Sequence, residues 1–517
     1  MFKTGCIISM LIFSSAGSVL AKAGEIGDSV PRKEILLLQT IADNHDGVWQ
    51  LASLSYANPA VNQWRMKNGL TKVGAAFSGR SFKNVPDSRE GTGRNAWSLA
   101  ATTYTKYRSS TLWGAASYKN GKVRDVVWNE TADMSLLYPY LLADSVGGDI
   151  KQEQYHFAGG YADHKGRWAW GATIGYTALL EYRDVDPRPR NVTGRLELSV
   201  GALFRMAGSY FAGLGANMLK YKQTNEIEFK SEMGVDKVFH LTGLGSHYNR
   251  FAGDGLSTYY DGYRFGIDMN VYPSDSRGLF AACRLSRFSY KNILSDLNKL
   301  PLARVRHNEL EAEAGWLKPE GKIFGGGAVG LNVYRRHGIE NIFGDAASSV
   351  YPVITSNEMY ADNYVSLKAA GRCGLRFDAI SHIMLHVSPE WMRRTSAYIE
   401  PYSYKVINAA GYSAMVSGTI QRGRHWMFEA SLALRQLFPY SCTLSLQNND
   451  EEMKGLEAAE RGAFLLESTG NTTFSASVSI TRTIGRYAIA LDAAWGRRSW
   501  KSGFPCNNYD INLNFIF

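Results

Sequence analysis

Beyond its first twenty-odd residues, this 517-residue chain has no stretch approaching the ~18 unbroken apolar residues of a membrane-spanning helix, which excludes a helical membrane protein. Cysteine is scarce. There are five, with no C-x-x-C spacing and no Cys/His cluster, so no metal site is written in the sequence. The G-x-S-x-G, H-E-x-x-H and P-loop patterns are absent as well, which removes the usual signatures of hydrolases, metalloproteases and nucleotide-binding enzymes. A basic tract is also missing. The formal net charge is +10, but Lys and Arg are mixed with Asp and Glu along the whole chain, which argues against nucleic acid as a partner.

What the chain does have is alternation. In its last ten residues Tyr509, Ile511, Leu513, Phe515 and Phe517 are apolar, and Asn508, Asp510, Asn512 and Asn514 are polar. A period of two places one set on each face of a β-strand, and this split suits a strand with lipid on one side and a wet lumen on the other. The same pattern recurs in Trp168-Trp170-Ala172-Ile174-Tyr176, Tyr263-Phe265-Ile267-Met269-Val271, Trp426-Phe428-Ala430-Leu432-Leu434 and Tyr487-Ile489-Leu491-Ala493-Trp495. It predicts strands near 70–82, 94–107, 111–119, 152–163, 167–181, 191–206, 209–221, 260–272 and 278–290. Further strands follow near 304–318, 322–335, 362–377, 381–394, 409–421, 424–438, 472–484, 486–500 and 507–517.

Tight turns rich in Gly, Asp and Pro, such as Asp163–Gly166, Asp275–Gly278, Lys318–Gly321 and Ile484–Arg486, alternate with long connections at 83–93, 120–151, 222–259, 336–361 and 439–471. The 51 glycines, 29 tyrosines and 12 tryptophans fit curved strands and aromatic girdles. The expectation is an all-β, transmembrane, antiparallel up-and-down barrel of about 18 strands, with 14 or 16 as alternatives. It would span residues 70–517 and sit among outer-membrane lipid of a Gram-negative cell, with short turns and both termini in the periplasm. The ending resembles that of bacterial outer-membrane barrels, whose assembly machinery recognises a terminal aromatic strand. That resemblance marks Tyr509, Phe515 and Phe517 as an assembly signal and the barrel assembly machinery as a partner.

The first 23 residues read as a signal peptide, with Lys3, an apolar core from Cys6 to Phe13 and small residues near Ala21 and Ala23. Residues 24–69 do not alternate. Pro31 to Ile41 suits a short helix, with Ser29 as its cap, and 51–60 reads as a loop. In that loop Asn58, Pro59 and Ala60 resemble the N-terminal hatch motif of long-chain fatty-acid channels; the same triplet also suits an ordinary Asn-Pro turn. Residues 24–69 are long enough for a small plug in a lumen that wall side chains alone leave open. Cys442 and Cys506, in neighbouring outer loops, form a candidate disulfide, the other reading being two free thiols.

The faces opposite the apolar set give the expected lumen charges. These are Arg264, Asp268, Arg284, Glu309, Glu311, Glu313, Lys368, Arg372, His386, Glu390, Glu429, Arg435 and Asp492. Glu309, Glu311 and Glu313 repel one another unless cations face them, and Arg284 with Arg287, or Lys368 with Arg372, are the candidates. Such charges either stiffen the wall and dock the N-terminal segment or select solutes. His382, His386 and Ser388 share the inner face, but no orienting third group accompanies them, so an enzyme is not expected, and neither is a cofactor.

Nearly the full length is similar to DUF6850, an uncharacterised family of Bacteroidetes outer-membrane β-barrels. The similarity rests on the leader, the segment Leu51–Ala60, the layout of loops and turns and the Phe515–Phe517 end. The resemblance implies architecture and assigns no site residue. The functional expectation is a passive or gated channel for a small solute, with residues 24–69 as hatch. The alternative is a non-transporting barrel whose outer loops bind a surface lipoprotein or receptor.

Overall fold

The structure, a computed structural model, describes residues 30–45, 47–65, 68–206, 208–231, 237–251, 257–346, 350–447 and 450–517. The expected leader at 1–23 and the Ser29 cap lie outside these residues.

In chain order the strands are β1 (Leu70–Phe82), β2 (Gly93–Lys106), β3 (Ser110–Val126), β4 (Leu142–Asp144), β5 (Gly148–Lys165), β6 (Trp168–Tyr182) and β7 (Arg188–Arg205). Next come β8 (Tyr210–Glu228), β9 (Val238–Gly243), β10 (Ser246–His247), β11 (Thr258–Pro273), β12 (Gly278–Leu294), β13 (Leu300–Lys318) and β14 (Ile323–Phe343). The series ends with β15 (Val353–Arg376), β16 (His382–Tyr398), β17 (Ser403–Arg422), β18 (Trp426–Ser445), β19 (Asn471–Ile484), β20 (Tyr487–Trp500) and β21 (Pro505–Ile516). Three helices accompany them: α1 (Val30–His45), α2 (Met134–Leu137) and α3 (Lys454–Ser468).

Strands β4, β9 and β10 form a small separate sheet, and the other eighteen form one antiparallel ring. Each of the eighteen expected spans coincides with one strand of that ring, so the count is eighteen. The ring closes where β21 pairs with β1, with Leu513 opposite Ala75 and Ile511 opposite Phe77. Its last link is reciprocal: Thr71 N donates to Phe517 O at 2.8 Å and Phe517 N to Thr71 O at 2.9 Å.

Alternation explains the outer wall. Trp168, Trp170, Ile174, Tyr176, Phe265, Ile267, Met269, Leu491 and Trp495 are all exposed. Apolar exposure that continues around a closed ring requires a continuous apolar surrounding. The chain is therefore an outer-membrane-type β-barrel. Short turns gather at one rim. At β19–β20 only Gly485 and Arg486 intervene, and Gly485 takes φ 63°, a left-handed value that glycine reaches without a Cβ clash.

The strands run further at the other rim than the apolar pattern foretold. Ile339 faces Glu358 and Phe343 faces Val353, so much of the supposed loop 336–361 is a hairpin. Above the membrane the outward side chains turn polar, so the period of two loses the contrast that made it readable.

The interior is filled from both ends. At the short-turn rim, Leu38, Ile41 and Ala42 of α1 pack on Ile380, Met427, Ala488, Ala490 and Ile516. The 51–60 stretch, expected as a loop, belongs to three short 3-10 turns, Val48–Ala52, Ser55–Ala57 and Pro59–Trp64. They bury Leu51, Ala52, Ala60 and Val61 against Leu203, Phe211, Phe280, Leu317 and Phe324 of the wall. At the long-loop rim, residues 127–147, the β9–β10 region and α3 make a cap. Its core joins Leu137, Tyr140, Leu141, Phe239 and Leu456 to Tyr221, Tyr260, Phe288 and Tyr290 of the wall.

The cysteine reading is corrected. Cys442 lies on β18 and Cys506 on β21, with β19 and β20 between them, and both are free thiols. Three strand spacings amount to ~14 Å, beyond the ~7 Å Cα separation that a disulfide spans. Thiol titration of the unfolded, unreduced mature chain is expected to find four reactive cysteines; a count of two would mean a bridge.

Candidate functional site

One strand samples the whole lumen. Along the inner face of β13, Glu313 meets the N-terminal segment, Glu311 and Glu309 occupy mid-lumen, and Val305 packs in the cap. Glu313 Oε2 accepts from Leu54 N at 3.0 Å. Two strands further on, Arg372 donates through Nη1 to Gly47 O and through Nη2 to Gln50 Oε1 at 2.7 Å, while its Nε donates to His386 Nδ1 at 3.2 Å. The wall thus grips the plug segment with one carboxylate and one guanidinium.

Asn58 supplies a further anchor. Its Oδ1 accepts from Ala60 N at 3.0 Å, capping the Pro59 turn, and its Nδ2 donates to Asn270 Oδ1 at 3.2 Å. Asn58, Pro59 and Ala60 are all buried. They lie against Gly171 and Gly201 of the wall, where a Cβ on Gly201 would overlap the Asn58 amide and one on Gly171 would stand 2.7 Å from Ala60 N. The triplet is both a turn and a close docking element. Tyr56 and Tyr272 complete the contact, hydroxyl to hydroxyl at 2.8 Å.

Between plug and cap the lumen carries ion pairs. Arg284 reaches Asp268 at 2.5 Å and Glu311 at 3.4 Å, Arg264 lies 3.9 Å from Glu197, and Arg435 pairs with Glu390 at 2.6 Å. Asp492 accepts from Ser479 and Asn514, Glu309 from Asn332, and Glu429 from Thr419. Lys368 stands opposite Glu390 in the β15–β16 register. Arg287, expected to face the glutamate ladder, does not. It is exposed on the outer wall, because a residue three positions from Arg284 points to the other side of the pleat. His382, His386 and Ser388 do not assemble: His382 lies against Phe324, His386 accepts from Arg372, and Ser388 donates to Ala369 O.

Solvent exposure separates two kinds of charge. In mid-lumen, the Arg264 and Glu197 side chains are 37% and 49% exposed, and those of Arg435 and Glu390 are 44% and 25%. In the cap, Arg183, Glu130 and Asp144 are 0% exposed. The middle is a wet chamber and the cap is dry. Arg183 Nη2 donates to Asp144 Oδ2 at 2.8 Å and to Glu130 Oε1 at 3.1 Å, and Asp144 also holds the amides of Val146 and Gly147. Burial, with Asp144 beside it, raises the Glu130 carboxyl well above the carboxylate range.

A second dry cluster ties Arg89 to Glu460 of α3 at 2.6 Å and to Asp87 at 2.9 Å. Burial works to raise the Glu460 carboxyl, but Arg89 and Lys405 outweigh it and hold it below the ordinary value. Burial, with His247 close by, lowers His240 of the small sheet to about 3. The wall also reaches into the cap, where Arg336 Nη1 donates to Tyr138 O and Ser135 O at the end of α2. None of these cap residues was named from sequence. Their partners lie in distant loops, and no periodicity marks them.

Among the described residues, no group of three or more His, Cys, Asp or Glu side chains is placed to hold a metal ion. A model of a family of unknown function, DUF6850, matches residues 59–517. The chain belongs to that family. No curated protein matches it.

Several solved barrels resemble it. The ferric preacinetobactin receptor BauA of Acinetobacter baumannii is 8% identical, with 87% of this chain and 79% of that one covered and a TM-score of 0.39. The FrpB iron transporter of Neisseria meningitidis is 8% identical, with 89% and 83% covered and a TM-score of 0.37. The outer membrane protein OpdK of Pseudomonas aeruginosa is 9% identical, with 87% and 100% covered and a TM-score of 0.30. Likenesses this distant carry no assignment of cargo to this member of DUF6850.

The cap triad gives a prediction. Arg183→Met leaves two buried carboxyls without their cation, which costs ~3–5 kcal/mol. Limited proteolysis of the refolded variant is expected to cut within 127–147, in a barrel that keeps its heat-modifiable migration on a gel. Full protease resistance would show that the apolar packing holds the cap without the triad.

Proposed function

We propose that this barrel is a gated outer-membrane channel for a small polar solute, held in its closed state by the N-terminal segment and the cap. The observation that carries the reading is the wet, charged chamber between the two plugs. A barrel serving only as a scaffold has no need of ionic side chains a third to a half exposed in its interior, since each costs desolvation unless water or a partner serves it. The apolar seats of the plug segment are joined by polar contacts, Glu313 to Leu54 N and Arg372 to Gly47 O and Gln50, which water can replace on release. In this reading the short turns and both termini face the periplasm, so the plug opens inward and the cap faces outward.

A second reading keeps the barrel silent and makes its cap a display surface for a protein partner. The dry core and buried ion pairs of the cap favour it, because they give the outer rim a fixed shape.

Single-channel recording in a planar bilayer decides between them. The full mature chain is expected to be nearly silent. Deleting residues 30–65 is expected to open steady, resolvable currents, and Glu309→Gln with Glu311→Gln in that background should move ion selectivity away from cations. Equal silence in both forms, with folding confirmed, would overturn the channel reading and favour the display surface.

A further inference from the structure

The outer wall of β12–β14 gathers four arginines on three neighbouring strands at the upper end of its apolar series. From the short-turn rim upward, the outward residues of β12 are Leu279, Ala281, Cys283 and Leu285, and those of β13 are Trp316, Ala314, Ala312 and Leu310. The apolar series then stops at Arg287 on β12, at Asn308, Arg306 and Arg304 on β13, and at Arg335 on β14. The register sets Arg287 beside Asn308 and Asn308 beside Arg335, so two guanidinium groups flank one amide across three neighbouring strands. Arg306 lies one outward position above Asn308 and Arg304 one above that.

None of the four arginines has a carboxylate within ion-pair distance among the described residues. Arg304 Nε donates to Ser289 Oγ at 3.2 Å, and Arg306 Nε is buried without a partner. The outward carboxylates on the flanking strands are taken: Asp261 by Lys220, and Glu358 by His337 at 2.6 Å. Directly below the arginines lies a groove of about 620 Å³ on the wall, lined by Phe265, Ile267, Leu285, Leu310 and Val333, with Arg287, Asn308 and Arg335 at its head.

We propose that this wall is a binding site for a membrane lipid whose phosphate headgroup carries net negative charge. The groove takes an acyl chain, and Arg287 and Arg335 clamp the phosphate between them, with the Asn308 amide as a further donor. Charge complementarity selects the occupant. Unpaired guanidinium groups at the edge of the hydrocarbon band match a lipid phosphate, which accepts paired N–H donors and sits at that depth. A protein ligand would need carboxylates at the same depth and would leave the apolar groove open to lipid. The site rests on the chain being a membrane barrel and not on its being a channel.

Native mass spectrometry of the refolded full chain tests it, with phosphatidic acid as the probe. The wild-type barrel is expected to retain at least one phosphatidic acid, and Arg287→Gln with Arg335→Gln to lower retention about tenfold or more. Phosphatidylcholine with the same acyl chains should be retained weakly, and millimolar inorganic phosphate should leave the complex intact. Arg287→Lys with Arg335→Lys keeps the charge, loses the paired donors and is expected to fall between. Arg497→Gln, the loss of one charge on the outer face of β20, should leave retention unchanged. The proposal is overturned if the double Gln variant retains the lipid as the wild type does, if Arg497→Gln weakens retention equally, or if inorganic phosphate strips the lipid. Heat-modifiable migration confirms that each variant is folded.

Discussion

The structure depends on a mismatch between circumference and side-chain length. Eight strands make a ring that its own side chains can fill, whereas eighteen leave a space that they cannot. The strand pairing that closes the ring at Thr71 and Phe517 therefore creates a void that other parts of the chain must occupy. Residues 30–65 occupy it from one rim, and 127–147, β9–β10 and α3 occupy it from the other. The packed cores of this protein lie inside the barrel, built half from wall and half from insert.

The two inserts are held by different physics. The cap has the character of a small soluble domain, with tyrosines, phenylalanines and leucines at its centre and buried charges, Arg183 with Asp144 and Arg89 with Glu460, fastening its edges. A dry pair is hard to break, because either partner alone would stay buried and uncompensated. The plug has no ion pair of that kind among the contacts described above. Its apolar contacts are backed by hydrogen bonds to charged and neutral wall residues, among them Glu313, Arg372, Asn270, Tyr272 and Tyr104.

Much of the wall was legible from sequence because a pleat has only two faces. The apolar set from Trp168 to Tyr176 and the Tyr487–Trp495 set each point outward, and Asp268, Glu311 and Glu390 point inward, as their parity requires. Parity also accounts for the misplacement of Arg287: it stands an odd number of residues from Arg284, so the two cannot share a face. The cap was illegible for another reason. Arg89 meets Glu460 across 371 positions, and neither belongs to a repeating pattern. The Asn58 triplet was visible, but its bed was not. Gly171 and Gly201 read as ordinary strand glycines until the fold brings Pro59 against them.

The ring also imposes an order in time. The plug precedes every strand in the chain, yet its contacts lie far along it: Leu54 meets Glu313 across 259 positions, and Gly47 meets Arg372 across 325. Partners so distant are found late, after the intervening chain is in place. Asn62 meets Tyr104 of β2 across only 42 positions, so the end of the plug nearest the wall finds its partners early, while Gly47 and Leu54 cannot come to rest until β15 and β13 are in place.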